Sequence, residues 1–590
     1  MKIGTDGFPG KAVVLLGALA VLTGCGGGGS SSESSPSDFD APVEPVNIGG
    51  DGDIFDPERL LDVEITMSAS NWRTLKAEAR TLAETSRECL PEFEYTELPA
   101  TVTIDGDTMG NVNVRKKGFI GSLSPDLPSL KLDFNDLQEG RTYQNVSRMT
   151  LNNNRQDPSN VRQCLAYDRF RDIGIAAPLC NYAQVTVNGE DLGVFAHVEP
   201  IRKPFLRRTF GDDSGNLYEA QQADFGNYLI RRFETKTNED ANNRSDLQAV
   251  ADAMALDDEA MMDVLPQLLD VDEFIRFWAM ETLLGAWDSA SGNANNFYLY
   301  HSPDDGLFHF IPWGADTAFR GTHPLKPGSA PLYRNFRLAE RLYGMPEYRQ
   351  QYLDALEDLL ANHWDEEAMQ LEIERVMVLT GTTEADVESV ESFLLGTGMP
   401  GDDGYERSQR EVLLSAIAGN EPEEAVTLLE DTQPDCSEPA TTNLTASVSA
   451  VSGTDSGVFS FTLPDGRQVS ASLTFAAFEV DSLVYSVDTE LAPAVHSLLL
   501  IGVDAAQGFK PYVLQVFIED TDYIPGTHKL HGFATNALLF EVDESVPGDV
   551  VSLALGATGT ITLNSVGSGA NAGDVDMDID MTMEYLPGTE

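Results

Sequence analysis

Residues 295–319 read NNFYLYHSPDDGLFHFIPWGADTAF. Two apolar stretches, 297–300 and 307–312, flank the turn SPDDG, which predicts a hairpin buried on both faces. Pairing around that turn brings the start of the first strand beside the end of the second. Asn296 and Asp316, 20 positions apart, are therefore expected to meet at the open end. Just upstream, DEFIRFWAMETLLGAWD (272–288) carries apolar residues on nearly every side, the pattern of a buried helix, and ends at Asp288. An amide oxygen beside one carboxylate, with a second carboxylate one loop away, is an oxygen set suited to Mg²⁺ holding phosphates. Protein kinases use the same parts in the same order: a catalytic Asp, an Asn, a hairpin, then a metal-binding Asp. The competing reading is local: the Asn pair caps a turn and Asp316 caps the following helix.

Outward from this hairpin the chain mixes strands and helices. DVEITMSASNWRTLKAEA (62–79) predicts a strand and then a helix, with Ser68 or Ser70 as N-cap. Asp105-Gly106 and Asn188-Gly189 mark two-residue hairpins, and SLKLDF (129–134) is a short strand. DPSNVRQCLAYDRFRDIG (157–174) predicts a helix with Pro158 in its first turn and Gly174 past its end. From Cys436 on, helical periodicity vanishes, short alternating strands recur, and only Arg467, Lys510 and Lys529 are basic, the profile of an all-β sandwich or barrel. There DVDMDIDMTM (574–583) sets Asp574, Asp576, Asp578 and Asp580 on one strand face, with Val575, Met577 and Ile579 turned inward. Such a ladder could take Ca²⁺ or a basic partner, or serve as a solvated edge that repels strand pairing.

Composition narrows the function. In 590 residues, 38 Lys and Arg stand against 95 Asp and Glu, a net charge of −57, which repels a phosphate backbone and excludes nucleic acid as a partner. The eight histidines form no HExxH, there is no GxSxG elbow, and no CxxC offers a zinc site. At the N-terminus, Lys2 and Lys11 precede the apolar run AVVLLGALAVLTG, of signal-peptide length, which closes on Leu22-Thr23-Gly24-Cys25. This resembles the lipobox of bacterial lipoproteins, in which the cysteine is lipid-modified. The resemblance implies residues 1–25 as leader with lipid attachment at Cys25, and a body held outside the cytoplasm. Gly26 in place of an Asp favours the outer over the inner membrane. Residues 26–50, Gly- and Ser-rich at their start, read as a flexible tether. Four cysteines remain, Cys89, Cys164, Cys180 and Cys436; three disulfide pairings are open to them, as is a set of buried thiols.

Four blocks together carry a family resemblance: IFDPERLLDVEITMSASNWRTL (54–75), LNNNRQDPSNVRQCLAYDRFRDIGIAAPLCNYAQVTVNGEDLGVFAHVEPI (151–201), GNLYE (215–219), and NNFYLY with FHFIPWGADTAF. In their order they are similar to the CotH family, spore-coat-protein-H-like atypical kinases, over roughly residues 54–430 and not over the β-rich tail. The expected architecture is α+β: a CotH-like kinase-like domain over residues 51–434, followed by an all-β, sandwich-like domain over 435–590. The resemblance implies ATP and Mg²⁺ as cofactors and a protein hydroxyl as phosphoryl acceptor. It makes Asp288 the catalytic residue orienting that hydroxyl, and Asn296, with Asn295, and Asp316 the metal ligands. Lys131 falls where the family has a strand lysine able to meet phosphates, though it also reads as an exposed strand lysine. Arg115 and Lys117 before Gly118 resemble the family's basic strand end, with Phe119 replacing its Asn. Glu199 in HVEP takes a nucleotide-facing or hinge-like place, and Arg162 pairs either with an acidic site residue or in a structural salt bridge. One departure stands out: the family's W-D-x-D is Trp313-Gly314-Ala315-Asp316 here. That lost carboxylate, and the scarcity of ATP outside the inner membrane, keep open a catalytically inactive envelope or adhesion protein on the same scaffold.

Overall fold

The computed structural model describes residues 46–585 apart from positions 51, 82, 85–88, 90–92, 119–121, 125, 321–330, 399–405, 422–425, 451–455, 481–494, 520–521, 531–534, 543–549 and 568–573. The leader, Cys25, most of the tether and Phe119 lie outside the described residues. Among the described residues no helix is long and apolar enough to cross a membrane.

The N-terminal part begins with a short strand β1 (Val46–Ile48) and then builds a closed barrel. Its strands are β2 (Leu60–Thr66), β3 (Leu98–Ile104), β4 (Asp107–Lys117), β5 (Ser129–Asp133), β7 (Arg148–Asn152), β8 (Cys180–Val187) and β9 (Glu190–Val198); β6 (Arg141–Tyr143) pairs with β1. The barrel runs β2-β3-β4-β5-β7-β9-β8 and closes through the parallel pair β2–β8. Alternation decides which residues go inside. Leu61, Val63, Val112, Val114, Leu130, Leu132, Met149 and Leu151 fill the interior. Both predicted hairpins form, with Asp105 and Gly106 at φ 50° and 87° and Asn188 and Gly189 at 53° and 82°, the left-handed pairs that such turns need. Ser68 caps the helix Ala69–Ala77, its side chain accepting from Asn71 N.

The second lobe is a sheet ordered β11-β10-β12-β13, made of β10 (Asn216–Ala220), β11 (Phe233–Thr235), β12 (Phe297–His301) and β13 (Phe308–Pro312), with helices packed against it. The opening hairpin is real: Phe297 faces Pro312 and His301 faces Phe308. The helix Val271–Leu283 is buried on nearly all sides, and Trp278 stacks on Tyr352 with ring centroids 3.6 Å apart. One boundary differs from expectation. The helix after the Asn run spans Arg162–Asp172, and Pro158 sits in a turn before it. Asp157 accepts from Arg162 N at 2.8 Å and so takes over the role of starting the helix.

The C-terminal region is all-β, but closed. Strands β14 (Thr441–Ala450), β15 (Ser456–Thr462), β16 (Gln468–Val480), β17 (Val495–Asp504), β18 (Lys510–Glu519), β19 (Gly526–Lys529), β20 (Asn536–Val542), β21 (Val550–Val566) and β22 (Val575–Tyr585) form one antiparallel sheet. It closes on itself rather than dividing into two facing layers, because the long β21 pairs with β20 at one end and with β22 along the rest. Val575, Met577 and Ile579 point into the core as expected. Asp576 and Asp578 lie on the outer face beside the Asn564 amide. The cysteines pair Cys89–Cys436 and Cys164–Cys180.

Candidate functional site

On one side of the barrel the outward residues of three neighbouring strands are polar. They are Asn113, Arg115 and Lys117 on β4, Ser129, Lys131 and Asp133 on β5, and Arg148, Thr150 and Asn152 on β7. Arg115 lies directly across from Lys131, and Lys131 across from Thr150. From Asn152 to Arg148 the row extends four residues, about 13 Å at strand rise. It faces the second lobe, and the two lobes enclose a cleft.

At one end stand Lys117, Asp316 and Asp288. Lys117 Nζ donates to Asn152 Oδ1 and faces the Asp316 carboxylate. Burial pushes Asp316 up to about 6; Lys117 pulls against that rise and Asp288 adds to it. Burial brings the Lys117 ammonium down to about 8, with Asp316 opposing. The loop bearing Asp316 is pinned from behind: Arg162 Nη1 donates to the Ala318 and Phe319 carbonyls at 2.7 and 2.9 Å, and Phe319 N donates to Leu284 O at 2.6 Å. Arg162 is itself buried beside Asp157, so it shapes the loop and does not line the cleft.

Asp288 is held by three amides. Its Oδ1 accepts from Asn293 and Asn295 at 3.0 Å each, and its Oδ2 from Asn296 at 2.9 Å. A carboxylate offers about four acceptor positions, which leaves one, on Oδ2, for an incoming hydroxyl. The two predicted asparagines divide in role. Asn295 Oδ1 accepts from Gln222 N at 3.1 Å, so both ends of that amide serve to hold the loop. Asn296, at φ 52°, gives its amide N–H to Asp288 and turns its oxygen towards Gly314. Asn296 Oδ1, beside Gly314, and the Asp316 carboxylate on the adjoining loop are the oxygens that could serve a cation. One carboxylate with an amide oxygen fits Mg²⁺, which completes its shell with phosphates and water. Among the described residues no three His, Cys, Asp or Glu side chains converge into an all-protein metal cage.

In the middle of the cleft lies Lys131. Burial brings it down to about 7; Glu219 opposes that fall, while Arg115, Lys117 and Lys236 add to it. Glu219 on β10 pairs with Lys236 at 2.6 Å. Burial works against its ionisation, but Lys236 and Lys131 outweigh that and hold the carboxyl well below its ordinary range. At the far end a cavity of about 360 Å³ opens between the lobes, bounded by Arg148, Glu199, Pro200, Arg202, Lys203 and Lys236. Glu199 follows directly on β9. Its carboxylate is taken by Arg208 at 2.6 Å and by Leu179 N at 3.0 Å.

Glu219, Lys236 and Glu281 were not singled out from sequence. Glu281 is buried within the helix Val271–Leu283 and accepts from Ala290 N at 3.1 Å and Ser291 N at 2.8 Å, holding the turn that follows Asp288. Asp272, Glu273 and Arg276 are charged in the same helix, so charge alone did not mark Glu281 as the buried one.

The profile of the family described as CotH kinase protein matches residues 114–397. The chain is 26% identical over 247 residues to the inner spore coat protein H of Bacillus subtilis, covering 40% of this chain and 67% of that protein. It is 26% identical over 184 residues to the spore coat protein homolog 1 of Rhizopus delemar, 29% of each chain. A further stretch of 61 residues is 36% identical to the inner spore coat protein H-like protein of Bacillus subtilis, 10% of this chain and 20% of that one. The matched segment contains Arg115, Lys131, Asp288, Asn296 and Asp316 in the cleft just described, and the chain belongs through it to the CotH family.

Proposed function

We infer that this protein is an exported, lipid-anchored kinase that transfers a phosphoryl group from ATP to protein hydroxyls with Mg²⁺. The observation that carries this reading is the polar row from Lys117 to Arg148. Two lysines of this row lie between the Asp316 loop at one end and an interlobe cavity at the other, an arrangement that supports a reading as a site for an extended nucleoside triphosphate. Asp316 and Asn296 Oδ1 would hold Mg²⁺, which when bound neutralises charge on the transferred phosphoryl group. Lys131 and Lys117 meet phosphate oxygens as point charges. Asp288 uses its remaining acceptor position on Oδ2 to orient the acceptor hydroxyl and take its proton. The cavity beside Glu199 and Pro200 receives the base and ribose.

Export is supported by the leader ending in Cys25 and by the pairing of all four remaining cysteines, which suits an oxidising compartment. The names of the spore coat relatives accord with a surface location. A second reading, a binding protein without catalysis, rests on Gly314, which supplies no carboxylate where the family has one.

The experiment is ATP binding to the full chain, with and without Mg²⁺, beside Asp316→Ala. The kinase reading expects Mg²⁺-dependent binding that the variant loses. Two folded proteins that both fail to bind would leave the scaffold reading in its place.

A further inference from the structure

The β-rich region does not stand apart from the cleft. Glu519, the last residue of β18, is 3% exposed and forms an ion pair with Arg155, which is 17% exposed. The other arm of Arg155 donates to Leu123 O at 3.3 Å. Asn153, two residues before it, gives its amide to the Ser122 and Leu127 carbonyls at 3.0 and 2.5 Å. These carbonyls belong to the connection between β4 and β5, which begins directly after Lys117. The Glu519 charge also acts through space in favour of the ammonium of Lys116, which is buried on the inner side of β4 and donates to Lys76 O at 2.8 Å. One carboxylate from the C-terminal barrel thus pairs with Arg155 and acts at a distance on Lys116, the neighbour of Lys117 on β4. The contact is fixed on two other sides. Ala83 packs into an apolar cluster with Val513, Phe517, Leu538, Phe540 and Leu555 of the barrel, and Cys89 is bonded to Cys436 at its entrance.

We propose that the C-terminal β-barrel is a working part of the nucleotide site, with Glu519 as a positioning residue that acts through Arg155 to hold Ser122, Leu123 and Leu127 in the connection that follows Lys117. A buried ion pair that spans 364 positions of sequence is an expensive way to join two domains if tethering were its only purpose, since apolar packing and the disulfide already join them. Its placement behind the β4–β5 connection gives the charge a task that the apolar cluster cannot perform: it fixes backbone carbonyls of the loop next to the lysine row. The proposal rests on the kinase reading for its ligand, but not for the clamp itself.

The test uses the full chain as wild type, Glu519→Gln, and the double variant Arg155→Gln/Glu519→Gln, with Glu541→Gln on the half-buried Lys510 pair as a control. Three quantities are read: the Kd for ATP with Mg²⁺, the Tm, and amide hydrogen exchange over residues 122–127. Glu519→Gln is expected to bind about tenfold more weakly, the scale of ordinary coupling between sites, and to exchange faster in that loop. The double variant removes the uncompensated charge, so its Tm recovers while its affinity does not. The control matches wild type in all three. Affinity that returns together with Tm in the double variant would make Glu519 merely structural and overturn the proposal. Should the wild type bind no nucleotide, the kinase reading fails and exchange alone decides the clamp: faster exchange in Glu519→Gln upholds it, unchanged exchange overturns it.

Discussion

Gly314 lies against the side chain of Asn296: a Cβ placed on Gly314 would stand 2.8 Å from both Asn296 Cγ and Oδ1. Gly314 also holds φ at 54°, in the left-handed region. The missing family carboxylate is thus tied to the position of Asn296, the asparagine proposed to hold a cation. Gly314→Ala is expected to lower stability by about 1–2 kcal/mol from backbone strain alone, and to displace Asn296 as well. Gly314→Asp, although it restores the family residue, should weaken Mg²⁺-dependent ATP binding. Urea unfolding and calorimetric titration read the two effects, and tighter binding by Gly314→Asp would refute the account.

Lys131 offers a proton signature. With the ammonium brought down to about 7, the side chain is mostly neutral at pH 8 in the free protein. Phosphate charge beside it favours the protonated form, so nucleotide binding at pH 8 should take up a proton. Titrations in buffers of different ionisation enthalpy would show this as a buffer-dependent heat. Lys131→Met should abolish the dependence and weaken binding; a wild-type heat independent of buffer would count against Lys131 as a phosphate contact.

Glu281 holds the turn after Asp288 through two backbone N–H groups and the Ser291 hydroxyl. Glu281→Ala leaves those donors buried without an acceptor, at a cost of roughly 2–4 kcal/mol. Chemical denaturation should show that loss. A change under 1 kcal/mol would mean, on the same scale, that water or a neighbour replaces the carboxylate without penalty.

The Cys164–Cys180 bridge ties the helix Arg162–Asp172 to β8 across 16 positions of sequence. Closing a loop of that length constrains the unfolded chain by about 3 kcal/mol. Cys164→Ala/Cys180→Ala should therefore unfold at lower denaturant while keeping its fold, as circular dichroism of the native state would report. An unchanged midpoint would place the bridge's contribution near zero.

Much of the scaffold is legible along the chain because its causes are local. Asp105-Gly106 and Asn188-Gly189 specify their hairpins through left-handed backbone, and alternation on β4, β5 and β7 states which residues enter the barrel core. The buried helix ending at Asp288 and the hairpin from Phe297 to Pro312 follow from the same kind of pattern, and so does the proximity of Asn296 to the Asp316 loop. Where local cues compete, a single side-chain contact decides between them. Pro158 suggested a helix start that the Asp157 carboxylate places at Arg162 instead.

The tertiary structure alone decided the rest. Asn295 and Asn296 are the same residue type in adjacent positions, and only packing makes one a brace for the backbone at Gln222 and leaves the other's oxygen towards Gly314. Arg162 reads in sequence as the partner of an acidic site residue or as part of a structural salt bridge, and packing puts it beside Asp157, buried behind the loop it supports. The Glu219–Lys236 pair, the two disulfides, and the reach of Glu519 to Arg155 join residues far apart in the chain. Periodicity and turn chemistry act over about ten residues and fix what each segment becomes. Which charged groups then share one desolvated space depends on how separate elements stack, and no single segment of the chain contains that information.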